Sequence, residues 1–258
     1  MSATRALPAA LDRLAHIALA AGAVVMRHYA AGSAYRLKAD RSPVTDADEE
    51  AERLILAALA EAVPGVPVVA EEQAAAGRKV EAGPHFFLVD PLDGTREFLG
   101  RNGEFTVNIA EIENGLPRRG VVFAPALDRL FAGEMGTGAF ESDAGLSAVR
   151  AIAARPAPES GLIAVASRSH RDPETEAFLA RFPIAAFKSA GSSLKFCLVA
   201  AGEADLYPRA GRTMEWDTAA GQAVLAAAGG SVTRWDDTPL TYGKPGFENP
   251  AFVARGKL

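Results

Sequence analysis

The chain is poor in cysteine and histidine, which argues against a disulfide-stabilised protein and against a zinc protein. Its one cysteine, Cys197, cannot form an intrachain disulfide, as is typical of proteins kept in a reducing compartment. We expect Cys197 to be a buried structural thiol, because it lies in the apolar run Leu194–Val199. One cysteine and four scattered histidines also offer no zinc-type ligand cluster.

Long apolar runs and blocks of like charge are also lacking. The apolar stretch near the N-terminus, Ile17–Val25, is shorter than the ~20 residues of a membrane span. Its apolar residues recur at three- and four-residue spacing, which indicates an amphipathic helix rather than a signal peptide. With 27 basic and 32 acidic residues the formal charge is −5, so nothing favours nucleic acid as a partner. We expect a cytoplasmic protein without integral membrane contact.

The hydrophobic pattern changes along the 258 residues. The first part predicts helices over 8–31 and 46–62, the second capped by Thr45, and then strands and hairpins. From about residue 160 strands and helices alternate. Because the prolines of 155–158 interrupt any element, we expect two halves, 1–155 of α+β character and 156–258 of α/β character. In the second half the pattern predicts strands at 162–166, 184–188, 204–207 and 231–235, and helices at 173–181, 192–201 and 217–228.

The most informative motif is Asp-Pro-Leu-Asp-Gly-Thr at residues 90–95, directly after a predicted strand. Its carboxylates, Asp90 and Asp93, leave the carboxyl end of that strand, where side chains face a crevice. Gly94 permits a positive φ and lets its own N–H and that of Thr95 approach an anion. The segment can therefore hold cations and phosphate together. A turn-forming or capping role for the two aspartates is the alternative.

Other acids could complete a metal site. Glu71 follows another predicted strand, and Asp217 stands at the start of a predicted helix, where N-capping is an equally good local explanation. Magnesium prefers a few carboxylates together with carbonyl oxygens, water and substrate phosphate. The candidate ligands are therefore Glu71, Asp90, the Leu92 carbonyl, Asp93 and Asp217.

These motifs resemble those of the inositol monophosphatase superfamily of magnesium-dependent phosphatases, which shares the motif at 90–95 and Trp-Asp-x-x-Ala-Gly, here 216–221. Three more blocks, 102–110, 191–200 and 205–209, resemble its CysQ-type 3′(2′),5′-bisphosphate nucleotidases. The resemblance runs from about residue 38 to residue 230. It implies the superfamily fold, a layered α/β/α/β/α sandwich.

The resemblance also implies an activity in sulfur metabolism. The substrate would be adenosine 3′,5′-bisphosphate or its sulfated relative, 3′-phosphoadenylyl sulfate, which would lose the 3′-phosphate to water activated by two or three Mg²⁺ ions. A peripheral position at the inner face of the cell membrane is the alternative to a purely cytoplasmic one. The metal ligands would be Glu71, Asp90, Leu92, Asp93 and Asp217.

Catalytic and substrate-binding roles follow from the same resemblance. Asp48 would pair with Thr95, and Asp48, Thr95 and Glu71 would act in catalysis. The nearby Asp46 is a second candidate for the role given to Asp48. Basic groups should bind the second phosphate, and Lys195 stands one helical turn after Ser192. The implied substrate-binding residues are Glu71, Leu92, Asp93, Gly94, Thr95, His170, Ser192, Lys195, Arg209 and Asp217.

Three alternatives stay open at this point. The substrate could be inositol monophosphate or a sugar bisphosphate, because the metal motif does not separate these esters. A non-catalytic protein that binds nucleotide or metal is an alternative of another class, although the full set of acids disfavours it. A dinucleotide-binding enzyme is weaker, because Gly136-Thr137-Gly138 lacks the third glycine of that fingerprint. Tyr207 could stack on a base, although a strand tyrosine is more often part of the packing.

Overall fold

The computed structural model describes residues 6–166 and 172–257. The helices in these ranges are α1 (Ala9–Ala31), α2 (Asp46–Ala62), α3 (Glu71–Ala75), α4 (Thr95–Leu99), α5 (Pro173–Leu179), α6 (Leu194–Ala200) and α7 (Glu215–Ala227). The strands of the first part are β1 (Tyr35–Leu37), β2 (Pro43–Thr45), β3 (Val68–Ala70), β4 (His85–Asp93), β5 (Thr106–Glu113), β6 (Leu116–Ala124), β7 (Arg129–Glu134), β8 (Gly138–Ser142) and β9 (Arg150–Ile152). Those of the second part are β10 (Leu162–Ala166), β11 (Ile184–Ser189), β12 (Leu206–Arg209), β13 (Thr213–Met214), β14 (Ser231–Arg234), β15 (Glu248–Asn249) and β16 (Phe252–Arg255).

Two large sheets organise these strands. The first has seven strands in the order β3-β4-β5-β6-β7-β8-β9 and is antiparallel except between β3 and β4. The second has five strands in the order β11-β10-β12-β16-β14, parallel through the first three and antiparallel beyond. The predicted division near residue 155 falls between the two sheets. The division into two halves stays a prediction. Helix α7 of the second part packs on strands of the first sheet.

Helices fill the three spaces around the two sheets. Helices α1 and α2 cover one face of the seven-stranded sheet, and α6 and α7 lie between its other face and the five-stranded sheet. Helix α5 packs on the outer face of the five-stranded sheet through Phe178 and Leu179. The order is therefore α/β/α/β/α, and the predicted layered sandwich is confirmed.

Local sequence signals account for several boundaries. Asn114 and Gly115 both have positive φ, 52° and 76°, which is the geometry of a two-residue turn between antiparallel strands. Thr45 caps α2 as expected, and its hydroxyl accepts from the Ala47 amide at 3.2 Å. The prediction was wrong at Ser192, which lies outside α6 with φ 51°, because its side chain bonds to a neighbouring loop instead.

Helix α1 belongs to the core on the outer face of the first sheet. By length and composition alone it could cross a membrane, so the absence of a long apolar run did not settle the question. Half of its most apolar window is nevertheless buried inside the protein. Leu11, Leu14, Ala18 and Val25 lie in the same buried cluster as residues of α2 and the sheet, as the helical spacing predicted.

Helix α7 approaches the first sheet closely because two strand residues have no side chain. A Cβ atom on Gly120 of β6 would lie 2.8 Å from the Cα atom of Ala220, and one on Gly133 of β7 would lie 2.6 Å from the Cα atom of Val224. These distances are shorter than carbon atoms tolerate, so glycine is required at both positions. The start of α7 is thereby held beside the carboxyl end of β4.

We predict that Gly120→Ala lowers the free energy of unfolding by about 1–3 kcal/mol, because the new methyl group overpacks this contact. Urea denaturation of the two proteins measures the difference. Gly145→Ala is the matched control, since the nearest atom to its added Cβ lies 3.8 Å away, and we expect a change below about 0.5 kcal/mol. Equal losses in the two variants would contradict the proposed close approach.

Candidate functional site

Three carboxylates from three different elements meet at one point. Glu71 opens α3, Asp90 lies in β4, and Asp217 lies in the first turn of α7. One oxygen of each lies within 4.8 Å of the others. Helix α3 starts where β3 ends, and β3 pairs in parallel with β4, so Glu71 and Asp90 leave the sheet at the same edge. A set of carboxylate oxygens at this spacing could hold a hard divalent cation.

Electrostatics makes this cluster unstable as a set of free anions. Burial raises the pKa of Asp90 well above its ordinary value, and the neighbouring charges of Glu71, Asp93 and Asp217 raise it further. Burial likewise raises the pKa of Asp217, with Asp93 and Glu71 adding repulsion. A bound cation would remove this repulsion, so the donor set fits a divalent metal.

Two buried polar atoms beside the cluster support this fit. The Thr106 hydroxyl and the Asn108 amide oxygen have no hydrogen-bond partner among the described residues. Their residues are paired in the sheet with Asp93 and Asp90, which places the side chains of each pair on the same face. Buried polar atoms are normally satisfied by protein, water or ligand. The side of the sheet that carries the acids is therefore suited to a hydrated ion.

Asp93 lies outside the tight group of three acids and is held differently. Its Oδ2 accepts from the Ser193 amide at 2.6 Å and lies 3.4 Å from the Asn108 side-chain nitrogen. Burial raises the pKa of Asp93, and the positive charge of Lys195 opposes that shift. Asp93 thus stands between the metal cluster and a basic side chain.

The turn at 90–95 is shaped by contacts within the motif. Asp90 Oδ1 accepts from the Leu92 amide at 3.0 Å, and the strand is irregular between Asp90 and Asp93. Gly94 has φ 91°, and a Cβ there would lie 2.2 Å from the Ser192 hydroxyl oxygen. Only glycine fits both the conformation and the space. Thr95 begins α4, and its hydroxyl oxygen lies 3.4 Å from the Leu92 carbonyl oxygen.

Asp48 and Thr95 form the pair that the resemblance implied. The Thr95 hydroxyl donates to Asp48 Oδ1 at 3.1 Å, while Asp48 Oδ2 accepts from the Thr45 amide and hydroxyl at 2.8 and 2.7 Å. Burial raises the pKa of Asp48 to about 6. Asp46 instead points to solvent and lies 3.3 Å from Arg36. Asp48 is therefore the one of the two acids that faces the motif.

Two charged residues near Glu71, Lys38 and Glu52, were missed by the sequence analysis. Lys38 Nζ donates to Glu71 at 2.6 Å and to Glu72 at 2.7 Å, and burial raises the pKa of Glu72 to about 8. Glu52 of α2 is buried and accepts from the amides of Glu72 and Gln73 at 2.7 and 3.0 Å. The Glu-Glu pair was visible in the sequence, but nothing local to Lys38 or Glu52 indicated these contacts.

A small polar cavity of about 140 Å³ adjoins Asp93 and Asp217. Lys195 is buried in its wall, and burial lowers the pKa of this ammonium to about 8, with Asp93 opposing the shift and Arg209 adding to it. The structure therefore brings two cations, Lys195 and Arg209, beside the acids. The described residues that line the cavity are Asp93, Gly94, Glu97, Ser192, Lys195, Phe196, Tyr207, Arg209, Arg212, Thr213, Asp217 and Thr218.

The remaining substrate-side predictions fare differently. Ser192 lines the cavity, but its hydroxyl also lies 2.8 Å from the carbonyl oxygens of Asp93 and Glu104 and bonds there. Tyr207 packs edge-on against Phe196, with ring centroids 5.0 Å apart, so the packing alternative describes it better than base stacking. His170 lies outside the described residues. Cys197 is buried as expected, and burial raises the pKa of its thiol.

A larger cavity of about 700 Å³ is lined in part by Glu71. Its walls include Val69, Trp216 and Phe247, and Arg212 lines both cavities. The sequence analysis did not foresee it, because its lining residues come from distant segments. The acid cluster is therefore flanked by a small polar space and a larger, more apolar one.

Comparisons with known proteins agree with this fold. A family model described as the inositol monophosphatase family matches residues 10–256. The 3′(2′),5′-bisphosphate nucleotidase CysQ of Escherichia coli strain K12 is 44% identical over 246 residues, which cover 94% of this chain and 98% of that protein. The crystal structure of CysQ from Bacteroides thetaiotaomicron is 38% identical with a TM-score of 0.83, over 96% of this chain and 97% of that one. An IMPase from Thermotoga maritima is 26% identical with a TM-score of 0.78, over 96% and 92%.

We predict that the metal-free protein loses stability as the pH rises from about 4 through about 6, the folded-state pKa of Asp48. Asp48, Asp90 and Asp217 have folded-state pKa values above their ordinary value of 3.8. Groups of this kind stabilise the folded state below the unfolded pKa, and that stability is lost as the pH rises through the folded pKa. Urea unfolding at several pH values in the presence of a chelator measures the slope.

The variant Asp90→Asn should flatten this pH dependence, since it removes the acid that the others repel. Asp46→Asn is the control, because that side chain is exposed and should leave the slope unchanged. The same slope for the wild type and Asp90→Asn would contradict the account of the cluster.

Proposed function

The chain belongs to the inositol monophosphatase family, and from that premise we propose that it is a magnesium-dependent 3′(2′),5′-bisphosphate nucleotidase. It removes the 3′-phosphate of adenosine 3′,5′-bisphosphate, or of its sulfated relative, and leaves AMP or the sulfated mononucleotide. One observation carries the proposal. The acids Glu71, Asp90 and Asp217 meet beside a cavity that also holds Lys195 and Arg209.

This juxtaposition suits a substrate with two phosphates. Acids alone would bind the cations that a single phosphate ester needs, as in an inositol monophosphatase. A second phosphate needs cationic side chains, because charge-assisted hydrogen bonds to anions are strong and directional. Lys195 and Arg209 supply them on the Asp93 side of the acids. Ser192 lines the same cavity, and His170 is carried as a substrate-binding residue by resemblance alone.

The metal ligands in this proposal are Glu71, Asp90, the Leu92 carbonyl, Asp93 and Asp217. Two or three Mg²⁺ ions held there would lower the pKa of water and neutralise the charge that develops on the departing 3′-oxygen. The protein-derived donors are all oxygen atoms, as this hard cation prefers. The amides of Gly94 and Thr95 would receive the phosphate that is cleaved.

Asp48 and Thr95 handle the proton in this scheme. Water attacks phosphorus, the new oxygen–phosphorus bond forms, and the bond to the 3′-oxygen breaks without a covalent enzyme intermediate. The attacking water gives up one proton, and the departing 3′-oxygen takes one from solvent to become the product hydroxyl. The Thr95 hydroxyl donates to Asp48, so its oxygen is free to accept from the attacking water and to pass a proton on. A pKa of about 6 suits Asp48 to hold that proton near neutral pH.

Location and partners follow as expectations. We propose a cytoplasmic enzyme whose partner is a small nucleotide, with no nucleic-acid partner, because the chain carries a net charge of −5.

We predict a higher kcat/KM for adenosine 3′,5′-bisphosphate than for inositol 1-phosphate under identical magnesium conditions. Phosphate release from both esters, measured side by side as initial rates, tests this. A preference for the inositol ester would overturn the nucleotide assignment and leave a phosphatase of the other specificity. Arg209→Met should raise the KM for the bisphosphate by about tenfold or more, with a smaller effect on the inositol ester.

We also predict that Asp93→Asn lowers magnesium-dependent phosphate release by a factor of about 100 or more, because the amide removes a negative charge from the metal site. Thermal unfolding checks that the variant is folded. Asp143→Asn, in the loop after β8 and outside the acid cluster, serves as the matched control. Wild-type turnover by Asp93→Asn would refute the assignment of Asp93 to the metals.

A further inference from the structure

Ser193 makes two short contacts that the proposed reaction has not used. Its amide donates to Asp93 Oδ2 at 2.6 Å, and its hydroxyl donates to the Asp217 carbonyl oxygen at 2.6 Å. Asp93 belongs to the first sheet, whereas Asp217 belongs to α7. Ser193 is 1% exposed, so water does not compete for these bonds. One residue therefore joins two acids that are 124 positions apart in the sequence, at 93 and 217.

The Ser193 hydroxyl is itself oriented by a third residue. Asn108 of β5 donates through its side-chain nitrogen to Ser193 Oγ at 3.0 Å, and the same nitrogen lies 3.4 Å from Asp93 Oδ2. Because the Ser193 hydroxyl oxygen accepts from the Asn108 side chain, its single hydrogen can be directed to the Asp217 carbonyl oxygen. Asn108 is 1% exposed and pairs with Asp90 across the sheet. The hydrogen bonds thus link the Asp93 carboxylate to the backbone of Asp217.

These bonds act on carboxylates that repel one another. Carboxylate oxygens of Glu71, Asp90 and Asp217 lie within 4.8 Å of one another, and like charges at this spacing do not hold the acids together. Their geometry must come from groups that hold them from outside. Residues that hydrogen-bond to metal ligands set ligand orientation, and losing one typically costs 10–100-fold in metal affinity.

We propose that Ser193 is a positioning residue for the metal centre. Its amide fixes the Asp93 carboxylate, its hydroxyl fixes the first turn of α7 and hence Asp217, and Asn108 holds that hydroxyl in place. The inference rests on the proposed function only in assigning Asp93 and Asp217 to the cation.

Isothermal titration of Mg²⁺ into the purified full-length chain tests this without turnover. We expect Ser193→Ala to raise the dissociation constant for Mg²⁺ by about 10-fold or more. Ser142→Ala is the matched control, since Ser142 is also buried and its hydroxyl donates to Asp143 at 3.2 Å, away from the acids. Wild-type affinity in Ser193→Ala would overturn the proposal, even if its thermal stability falls. Failure of the nucleotidase assignment would leave this result unaffected, because no substrate is present.

Two further variants keep the test decisive if Ser193→Ala does not fold. Ser193→Thr retains the hydroxyl and should bind Mg²⁺ more tightly than Asn108→Ala, which removes the donor that orients Ser193. A raised dissociation constant for Asn108→Ala supports the network. Wild-type affinity in Asn108→Ala would contradict it.

Discussion

Repulsion among carboxylates that the fold forces together is the constraint on which this structure depends. Glu71, Asp90 and Asp217 come within 4.8 Å of one another, and burial removes the water that would screen them. Side chains alone would separate. The backbone keeps them close, because α3, β4 and α7 begin or end at the same edge of the first sheet. The folded protein therefore carries an electrostatic strain that protons or divalent cations relieve.

Different layers of the sandwich supply different residues around this centre. Helix α2 presents Asp48 and Glu52 one turn apart, the first bonded to Thr95 and the second to the start of α3. The middle layer brings Asp217 on α7 and Lys195 on α6 to the opposite side. The acids thus meet Lys195 because α6 and α7 lie between the sheets, and Arg209 comes from β12 of the second sheet.

Much of this could be predicted from sequence where the signal is local. The motif at 90–95 and the Thr45 cap carry their information in adjacent residues, whereas the layered fold was implied by the resemblance that the motifs carry. The start of α6 was misplaced, because Ser192 bonds to carbonyls near residues 93 and 104, and such long-range contacts override helical propensity. Lys38 and Ser193 were missed for a related reason. Their roles come from partners that only the tertiary fold brings near.

Proton release on metal binding tests the central claim most directly. If the buried acids retain protons in the metal-free state, Mg²⁺ must displace them. Calorimetric titration at pH 7 in two buffers of different ionisation enthalpy gives the number released. The account predicts net proton release on Mg²⁺ binding, and less release for Asp90→Asn. Tight Mg²⁺ binding without proton release, unchanged in that variant, would contradict it.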